Sequence, residues 1–515
     1  IVLQDEVSQK QRLEFAGARV GKIADAYVNR MEWSEVLAQD EAKRKVTKAD
    51  VLRVAEKYIG DDRVVVFRKR GKPELPKIDK PKITPVAIDN SRRSPFAEQV
   101  LAMESTPLEP DWLVDGKHYS VSELPAGRLI TAKNQANDLF QVVYRFDRGS
   151  RDSKLLCLGY DLLERSGTTE MDAEALQKQL YSLGSSINFN CSADSSMITV
   201  AGLDSKMEDS LKLLDTWMRG AKFEQDTLDK MVENQLSERR DRSEDPRFLG
   251  RALSEYAQHG KESRYLAGPS NKDLQRAKAK TLAKTIAKAA DYQHRTLYYG
   301  PRSAEDAAKA IALGSKHKKV KEPKPQRYRK QTGAQIYFMG RDVAKSSVAM
   351  AMPLGALGDE DRPRARLLQE YFGGGMASII FQEIREARGL AYFARGSMRT
   401  GSRPNDDWAF VGMMDTQANK TIDALSFFLE LVRTRPLDAS RTDEAKVTLE
   451  EEYRSSRVEP RFIVYWVDSW FNRGDDKDPR PAEREGAAAT SNERLQDFAK
   501  KVGEAPVIIS VLGNE

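Results

Sequence analysis

An internal repeat constrains the fold of this chain more than any other feature of its sequence. Three residue pairs keep one offset of 214 positions: Asp229 with Asp443, Pro246 with Pro460, and Phe248 with Phe462. Slightly earlier in each copy, residues 200–204 correspond to residues 411–415. Because a repeat of this length has the size of a domain rather than of a solenoid unit, we predict two homologous α+β domains.

Each copy ends with a helical pattern followed by a short apolar strand, and the same ending occurs a third time near the N-terminus. The endings at 284–299 and 491–512 are matched in kind by residues 48–67, which close on the apolar run 64–67. Residues 11–58 also have apolar side chains at helical spacing. We therefore expect the N-terminal piece to be the tail of a preceding domain whose beginning is missing.

Two stretches with the composition of linkers separate these units. Residues 72–111 interleave seven prolines with lysine and arginine, and such a segment does not build a regular core. A second basic, proline-bearing spacer covers residues 316–330. The predicted organisation is a domain tail at 1–71, a linker at 72–111, and complete α+β domains at 112–325 and 326–515, each a mostly antiparallel sheet flanked by helices.

Charge and hydropathy exclude two classes of function. The 84 basic residues are nearly matched by 78 acidic ones, which leaves a net charge of +6 on 515 residues. Nucleic-acid binding needs clustered basic residues, and the cluster at 316–330 lies in a predicted linker. No apolar run approaches the roughly 20 residues that cross a bilayer. Cys157 and Cys191 leave both a disulfide and the redox compartment open.

Residues 372–392 carry the most specific motif, a glycine run followed by a short helix. Ser378 is expected to cap this helix, with 379–381 and Ile384 packing inward, and Gly389 is expected to end it before an extended segment. A helix, a tight stop and a strand bring Arg385 and Tyr392 close together. The alternatives are a solvated arginine and a half-buried packing tyrosine. The glycine run lacks the spacing of a nucleotide-binding loop.

This segment, with its arginine and tyrosine seven residues apart, resembles the M16 family of zinc metallopeptidases, which includes pitrilysin, insulysin and mitochondrial processing peptidase. The resemblance implies a clamshell of repeated α+β domains, two per half, with the pair in the half that lacks zinc. It further implies that Arg385 binds a peptide carbonyl and that Tyr392 donates to the oxyanion of the transition state. Phe381 and Phe393 are expected to be core residues.

Activity in the M16 family depends on an inverted His-x-x-Glu-His motif on a helix, with a distant glutamate as third zinc ligand. The four histidines, His118, His259, His294 and His317, do not form this motif. Residues 155–164, where the motif would fall, have the pattern of a packing surface. Glu233 stands near the place of the third ligand, yet a lone carboxylate on a charged helix is typical of solvated surface. We expect no metal and no cofactor in this chain, and zinc in the missing N-terminal half.

The leading hypothesis for function is the substrate-binding, non-catalytic half of a clamshell zinc metalloendopeptidase that acts on peptides or unfolded segments. The alternative is a proteolytically inactive family member that serves as scaffold or partner subunit; a basic interaction module is a third. The presence of both Arg385 and Tyr392 favours the first. The expected partners are the zinc-bearing N-terminal half of the same polypeptide and a peptide substrate, without nucleic acid or a membrane span. The compartment stays open, with a periplasmic or secreted bacterial protein favoured.

Overall fold

The computed structural model describes residues 2–69, 71, 93–104, 106–434 and 436–514. As far as they are described, the residues form two compact units, one built from Leu3–Ala16 with Glu109–Glu515 and the other from Gly17–Leu108. The N-terminal helices are α1 (Val2–Leu13), α2 (Ala16–Val28), α3 (Trp33–Arg44), α4 (Lys48–Tyr58) and α5 (Pro95–Ala102). The helical prediction for 11–58 is therefore correct in type but is interrupted by short breaks between helices.

The first half of the larger unit is built on a sheet that has six strands within the described residues. The strands of this half are β1 (Ser120–Leu124), β2 (Gly127–Lys133), β3 (Leu139–Phe146), β4 (Gly167–Thr168), β5 (Ser186–Cys191), β6 (Ser196–Leu203), β7 (Ala221–Lys222) and β8 (Arg295–Gly300). The sheet order is β1-β2-β8-β3-β6-β5, and β4 pairs with β7 apart from it. Its neighbouring strands are antiparallel except for β2 and β8, which are parallel.

The helices of this half flank the sheet, except for α10 (Pro246–His259), which packs on the sheet of the second half. They are α6 (Leu156–Leu163), α7 (Ala173–Leu183), α8 (Met207–Gly220), α9 (Gln225–Arg242), α10 (Pro246–His259), α11 (Asn271–Gln275), α12 (Ala279–Ala289) and α13 (Ala304–Ala310). Helix α6 buries Leu156, Tyr160 and Leu163 in the core beside Trp217 of α8. Cys157 of α6 and Cys191 of β5 form a disulfide. The pairing that the sequence left open therefore joins a flanking helix to an edge strand.

The second half repeats this plan. Its strands are β9 (Gln335–Gly340), β10 (Lys345–Gly355), β11 (Ala391–Arg399), β12 (Trp408–Gln417) and β13 (Ile508–Gly513), and its sheet order within the described residues is β11-β12-β10-β13-β9. Its helices are α14 (Arg362–Gly373), the π-helix Phe381–Ala387, α15 (Thr421–Arg433), α16 (Ala439–Ser455), α17 (Ile463–Arg473), α18 (Arg480–Ala489) and α19 (Asn492–Glu504).

The two sheets share one topology, which confirms the α+β fold class. In each sheet, the last strand of the half lies between the first two long strands of that half. It runs parallel to the first of them and antiparallel to the second. This holds for β8 between β2 and β3 and for β13 between β9 and β10. In each sheet, a hairpin later in the sequence, β5–β6 or β11–β12, forms one side of the sheet. The first strand of that hairpin, β5 or β11, is the edge strand. The repeat in the sequence is therefore a repeat of topology.

One helix of each half packs on the sheet of the other half. Helix α10 packs against β13 and β10 of the second sheet, where Ala257 joins a cluster with Ala351 and Ile508. Helix α17 packs against β2 and β8 of the first sheet, with Val464 and Val467 buried beside its strands. Because each sheet has one face covered by the opposite half, separation of the halves would expose both faces to water.

The N-terminal ending departs from its two counterparts. Helix α4 forms as predicted, but residues 64–67 are not a strand, and the run from Val64 to Phe67 is exposed, with Val64 at 93% and Phe67 at 79%. The strand prediction is wrong here because a strand needs a hydrogen-bonded neighbour, and the described residues provide none for this run. Within the predicted linker, Pro95–Ala102 is helix α5 with Ser94 as its N-cap, and residues 72–92 lie outside the described residues.

The basic spacer at 316–330 is held against the folded halves. The backbone of Lys318 forms hydrogen bonds with the backbone of Asp291 and of Gln293, and the backbone N–H of Gln326 donates to Asp406 Oδ1 at 2.7 Å. These hydrogen bonds attach the spacer to residues of both halves, so it is an ordered connection between them. None of the helices in the described part of the chain is both long and apolar enough to cross a bilayer.

Candidate functional site

The glycine run at the end of α14 is required because the backbone there lies very close to that of β11. A Cβ on Gly373 would overlap the carbonyl oxygen of Gly396 in β11, and one on Gly374 would overlap the carboxylate of Glu370. A Cβ on Gly375 would meet nothing within 4 Å. Glycine at the first two positions therefore lets the end of α14 lie directly against β11, which positions the segment that follows.

The helix after the glycine run is a π-helix, Phe381–Ala387, preceded by one short α-helical stretch at 379–380. Ile379, Ile380 and Ile384 are buried in the core of the second half, as predicted. The predicted cap is wrong, because the Ser378 hydroxyl donates to the Gly375 carbonyl instead of accepting a helix N–H. The hydroxyl thus closes the glycine turn. π-Helical turns are rare and are frequent at functional sites.

Gly389 ends this helix as the sequence predicts. Its φ of +55° lies in the left-handed region that favours glycine. The Leu390 amide then donates back to the Ile384 carbonyl at 2.9 Å, and the chain enters β11 at Ala391. The tight stop brings the first residues of β11 beside the helix that precedes them.

A β-bulge at the start of β11 aims Tyr392 outward. Ala391 pairs with Thr416 and Phe393 with Asp415, so Tyr392 is the extra residue on the edge strand. Bulges bend a strand and re-aim a side chain. Tyr392 is 75% exposed and Phe393 is 43% exposed. The expectation that Phe393 lies in the core is therefore wrong: alternation after the bulge places it on the opposite face from the buried Ala391.

Arg385 and Tyr392 lie together, which confirms the predicted proximity. The Arg385 guanidinium carbon is 4.8 Å from the centroid of the Tyr392 ring and 4.7 Å from that of Phe381. Its Nε is 3.3 Å from Glu386 Oε1. The guanidinium therefore lies against two aromatic rings and one carboxylate. These contacts hold a planar cation at the surface without burying it.

The sequence did not reveal the parts played by Phe381 and Glu386. Phe381 is half-buried rather than a core residue, and its ring forms part of the environment of Arg385. The four-residue spacing of Phe381 and Arg385 on a helix was the signal that could have found this contact. Nothing in the sequence predicted the bulge at Tyr392, since it depends on the register between β11 and β12.

Both basic and acidic side chains lie near the pair. Arg388 pairs with Glu383 at 2.6 Å, and Lys420 donates to the Gly389 carbonyl at 3.3 Å. Beneath the glycine run, burial raises the pKa of the Glu370 carboxyl, and the nearby Arg366 opposes that rise.

The described residues of this chain do not fit the zinc site of an active M16 domain. Helix α6, at the place of the motif, buries leucines and a tyrosine and holds Cys157 in the disulfide. Glu233 is exposed on α9. Among the described residues, no group of three or more His, Cys, Asp or Glu side chains is placed to hold a metal ion. His294 and His317 have ring centroids 6.1 Å apart, but burial lowers the pKa of His294 to about 4, which is typical of a packed core histidine.

Three comparisons relate the chain to known proteins. The family model described as "Peptidase M16 inactive domain" matches residues 301–449, which contain the glycine run, Arg385 and Tyr392. An uncharacterized zinc protease of Streptomyces coelicolor is 39% identical over 70 residues, which cover 14% of this chain and 15% of that protein. The chain therefore matches only a small part of this relative's length.

Solved structures share the fold at low identity. The peptidase M16 inactive domain from Pseudomonas fluorescens has a TM-score of 0.63 at 18% identity, covering 77% of this chain and 98% of that one. The periplasmic protease PqqL from Escherichia coli has a TM-score of 0.61 at 13% identity, covering 94% of this chain and 52% of that one. Residues 301–449 therefore match the M16 peptidase inactive domain, and the chain shares the fold of solved M16 proteins.

Proposed function

We propose that this chain is the substrate-binding, non-catalytic half of a clamshell zinc metalloendopeptidase that acts on peptides or unfolded segments. The observation that carries the proposal is the surface pair itself, an Arg385 guanidinium whose central carbon lies 4.8 Å from the ring centroid of a Tyr392 that is 75% exposed. Packing alone does not explain a tyrosine left largely in water at a bulge beside an ordered cation.

The two side chains offer complementary donors to a peptide. A guanidinium has five N–H donors, so those of Arg385 beyond the Nε that faces Glu386 can donate to a peptide carbonyl. The Tyr392 hydroxyl provides a neutral donor for the oxygen on which charge develops when a carbonyl carbon becomes tetrahedral. In this proposal Arg385 holds the peptide in both ground and transition states, whereas Tyr392 acts mainly in the transition state.

Such donors need a covering surface. Oxyanion stabilisation is strong where water is excluded, yet Tyr392 is open to solvent in this chain. A second half that closes over the pair would exclude water. It would also provide the zinc site that the described residues of this chain do not form. That half supplies the metal chemistry in the proposal, and Arg385 and Tyr392 supply binding and orientation.

The exposed ending at residues 48–67 supports a preceding domain of the same kind. In both described halves, a helix leads into the last strand of the half, which lies between two other strands, as in α12 with β8 and α19 with β13. The run 64–67 follows α4 in the same way but is exposed. We infer that it is an interior strand of a third sheet, which belongs to the N-terminal half.

The test is the kinetics of tyrosine variants in the assembled, zinc-loaded enzyme. Tyr392→Phe is expected to lower kcat by roughly 10²–10³ with KM little changed, because one transition-state donor is lost. Arg385→Ala is expected to impair both parameters. Tyr181→Phe is the matched control, since Tyr181 is also an exposed tyrosine, 56% accessible on α7. Full kcat for Tyr392→Phe would refute the proposal and favour an inactive scaffold or partner subunit.

A further inference from the structure

Positive charge is concentrated in one part of the chain. Residues 271–330 contain 17 lysines and arginines but 5 aspartates and glutamates, a net charge of +12, whereas the whole chain carries +6. The remainder of the chain is therefore net acidic. The basic part runs from α11 through α12, β8 and α13 to the basic spacer. Charge of one sign on one surface creates a field that attracts a partner of the opposite sign.

Helix α12 has a stripe of lysines on its exposed side. Lys280, Lys284 and Lys288 follow one another at four-residue spacing, and all three are exposed. This spacing puts them on one side of the helix, over about 12 Å of its length. The opposite side, which carries Leu282 and Ile286, is buried in the core of the first half. The stripe is therefore held by a packed helix and faces solvent.

The basic spacer continues this surface beyond the end of α12. The Asp291 N–H donates to the Lys288 carbonyl at 3.1 Å, and the Lys318 N–H donates to the Asp291 carbonyl at 2.7 Å. These backbone hydrogen bonds bring the spacer beside the end of α12. The spacer residues Lys316, Lys318 and Lys319 are exposed. We name as the lysine surface Lys280, Lys284, Lys288, Lys316, Lys318 and Lys319.

The lysine surface has no counterion within the described part of the chain. None of its six ammonium groups forms an ion pair or a hydrogen bond with another described residue. Asp291, which joins the two parts of the surface, has its carboxylate 3.5 Å from Arg219 Nη2 instead. Other helical lysines pair with a carboxylate four residues away, as Lys178 does with Glu174. Because like charges at this spacing destabilise a helix, the stripe opposes the stability of α12 until an anion covers it.

The chemistry of the lysine surface fits lipid headgroups better than a nucleic acid or an acidic peptide. Single-stranded nucleic acids stack on exposed aromatic rings, but Tyr292 beside Lys318 is half-buried, with the Arg148 guanidinium carbon 3.5 Å from its ring centroid. Peptides are recognised through backbone hydrogen bonds or a groove, and the side of a helix offers no free backbone groups. Flexible lysines bind headgroups by charge alone.

We propose that the lysine surface attaches this chain to an anionic lipid membrane. Attachment is electrostatic and without insertion, because the apolar side of α12 is buried in the core. Clusters of about four to eight basic residues support such attachment, and each strengthens binding about fivefold. The inference is independent of the proposed function, since it concerns the surface on which the chain works and not what it binds at Arg385 and Tyr392.

The test is co-sedimentation of the purified chain with vesicles of phosphatidylcholine, alone or with an equal part of phosphatidylglycerol. Binding is expected only with phosphatidylglycerol and is expected to weaken with added salt, because salt screens charge. The triple variant Lys280→Gln, Lys284→Gln, Lys288→Gln is expected to weaken binding by at least about tenfold. The same three positions changed to arginine keep the charge and are expected to retain binding. Circular dichroism of the glutamine variant is expected to be unchanged, since glutamine is a good helix former.

The matched control is the triple variant Lys178→Gln, Lys206→Gln, Lys500→Gln. These lysines are exposed, each pairs with a carboxylate, and they lie outside the lysine surface, while the net charge changes equally. Equal weakening by the two triple variants, or equal binding to vesicles without phosphatidylglycerol, would overturn the proposal. Tighter binding of duplex DNA or polyglutamate than of phosphatidylglycerol vesicles would also overturn it, because the surface would then serve a nucleic acid or an acidic protein.

Discussion

Asp468 is one of the buried charged residues that join the two halves of the larger unit, and replacing it is expected to weaken the contact between the halves. Its side chain is fully buried on α17 of the second half. It accepts a hydrogen bond from Arg145 Nη1 at 2.7 Å, and its Oδ1 is 3.0 Å from Arg295 Nε. Both arginines belong to strands of the first sheet. The second contact is an ion pair without an aligned hydrogen bond.

The expected cost of Asp468→Ala is about 3 kcal/mol of unfolding free energy. A hydrogen bond to a charged group contributes roughly 1.5–3 kcal/mol, and loss of one partner of a buried ion pair costs about 3–5 kcal/mol. The lower end applies because the side chains of Arg145 and Arg295 keep 27% and 18% of their exposure, so water solvates part of the unpaired charge. Asp468→Asn keeps the shape and is expected to cost less.

The assay is urea unfolding followed by tryptophan fluorescence, because Trp470 lies on the same helix and is buried. Glu174→Gln is the control, since Glu174 forms an ion pair of 2.6 Å with Lys178 whose side chains are 77% and 74% exposed. That variant is expected to shift stability by less than about 1 kcal/mol. Equal shifts for Asp468→Ala and Glu174→Gln would show that the buried pairs do not hold α17 on the first sheet.

Two further predictions concern the glycine run and one partly exposed charge network. Gly373→Ala is expected to lower unfolding free energy by about 2 kcal/mol, because its Cβ would overlap the Gly396 carbonyl, whereas Gly375→Ala is expected to be nearly neutral; equal urea midpoints for the two variants would contradict the close approach. Hydrogen bonds, first from Arg484, lower the pKa of Glu450 from 4.5 to about 2. Because the folded-state pKa is depressed, this stabilisation is present above about pH 4.5 and is lost as the pH falls toward 2. The stability deficit of Glu450→Gln should therefore shrink over that range, and a deficit independent of pH would argue against the depressed pKa.

The candidate site was predictable to the extent that it is local. The glycine stop at Gly389, the buried Ile384 and the nearness of Arg385 to Tyr392 all follow from spacing within one short segment. The bulge and the exposure of Phe393 do not, because they are set by the register of β11 against β12. The hydroxyl of Ser378 also had two possible partners nearby, and the glycine turn decided between them.

By itself the sequence determined the repeat, the α+β class and most helices, because apolar periodicity and turn residues act within a few residues of each other. Tertiary structure alone decided which sheet each helix covers. Pro246 and its repeat partner Pro460 mark the starts of α10 and α17 in the sequence. Nothing in the sequence indicates that each of these helices packs on the sheet of the opposite half. The run 64–67 shows the same limit: its pattern is that of a strand, but pairing requires a neighbour that only a folded sheet supplies.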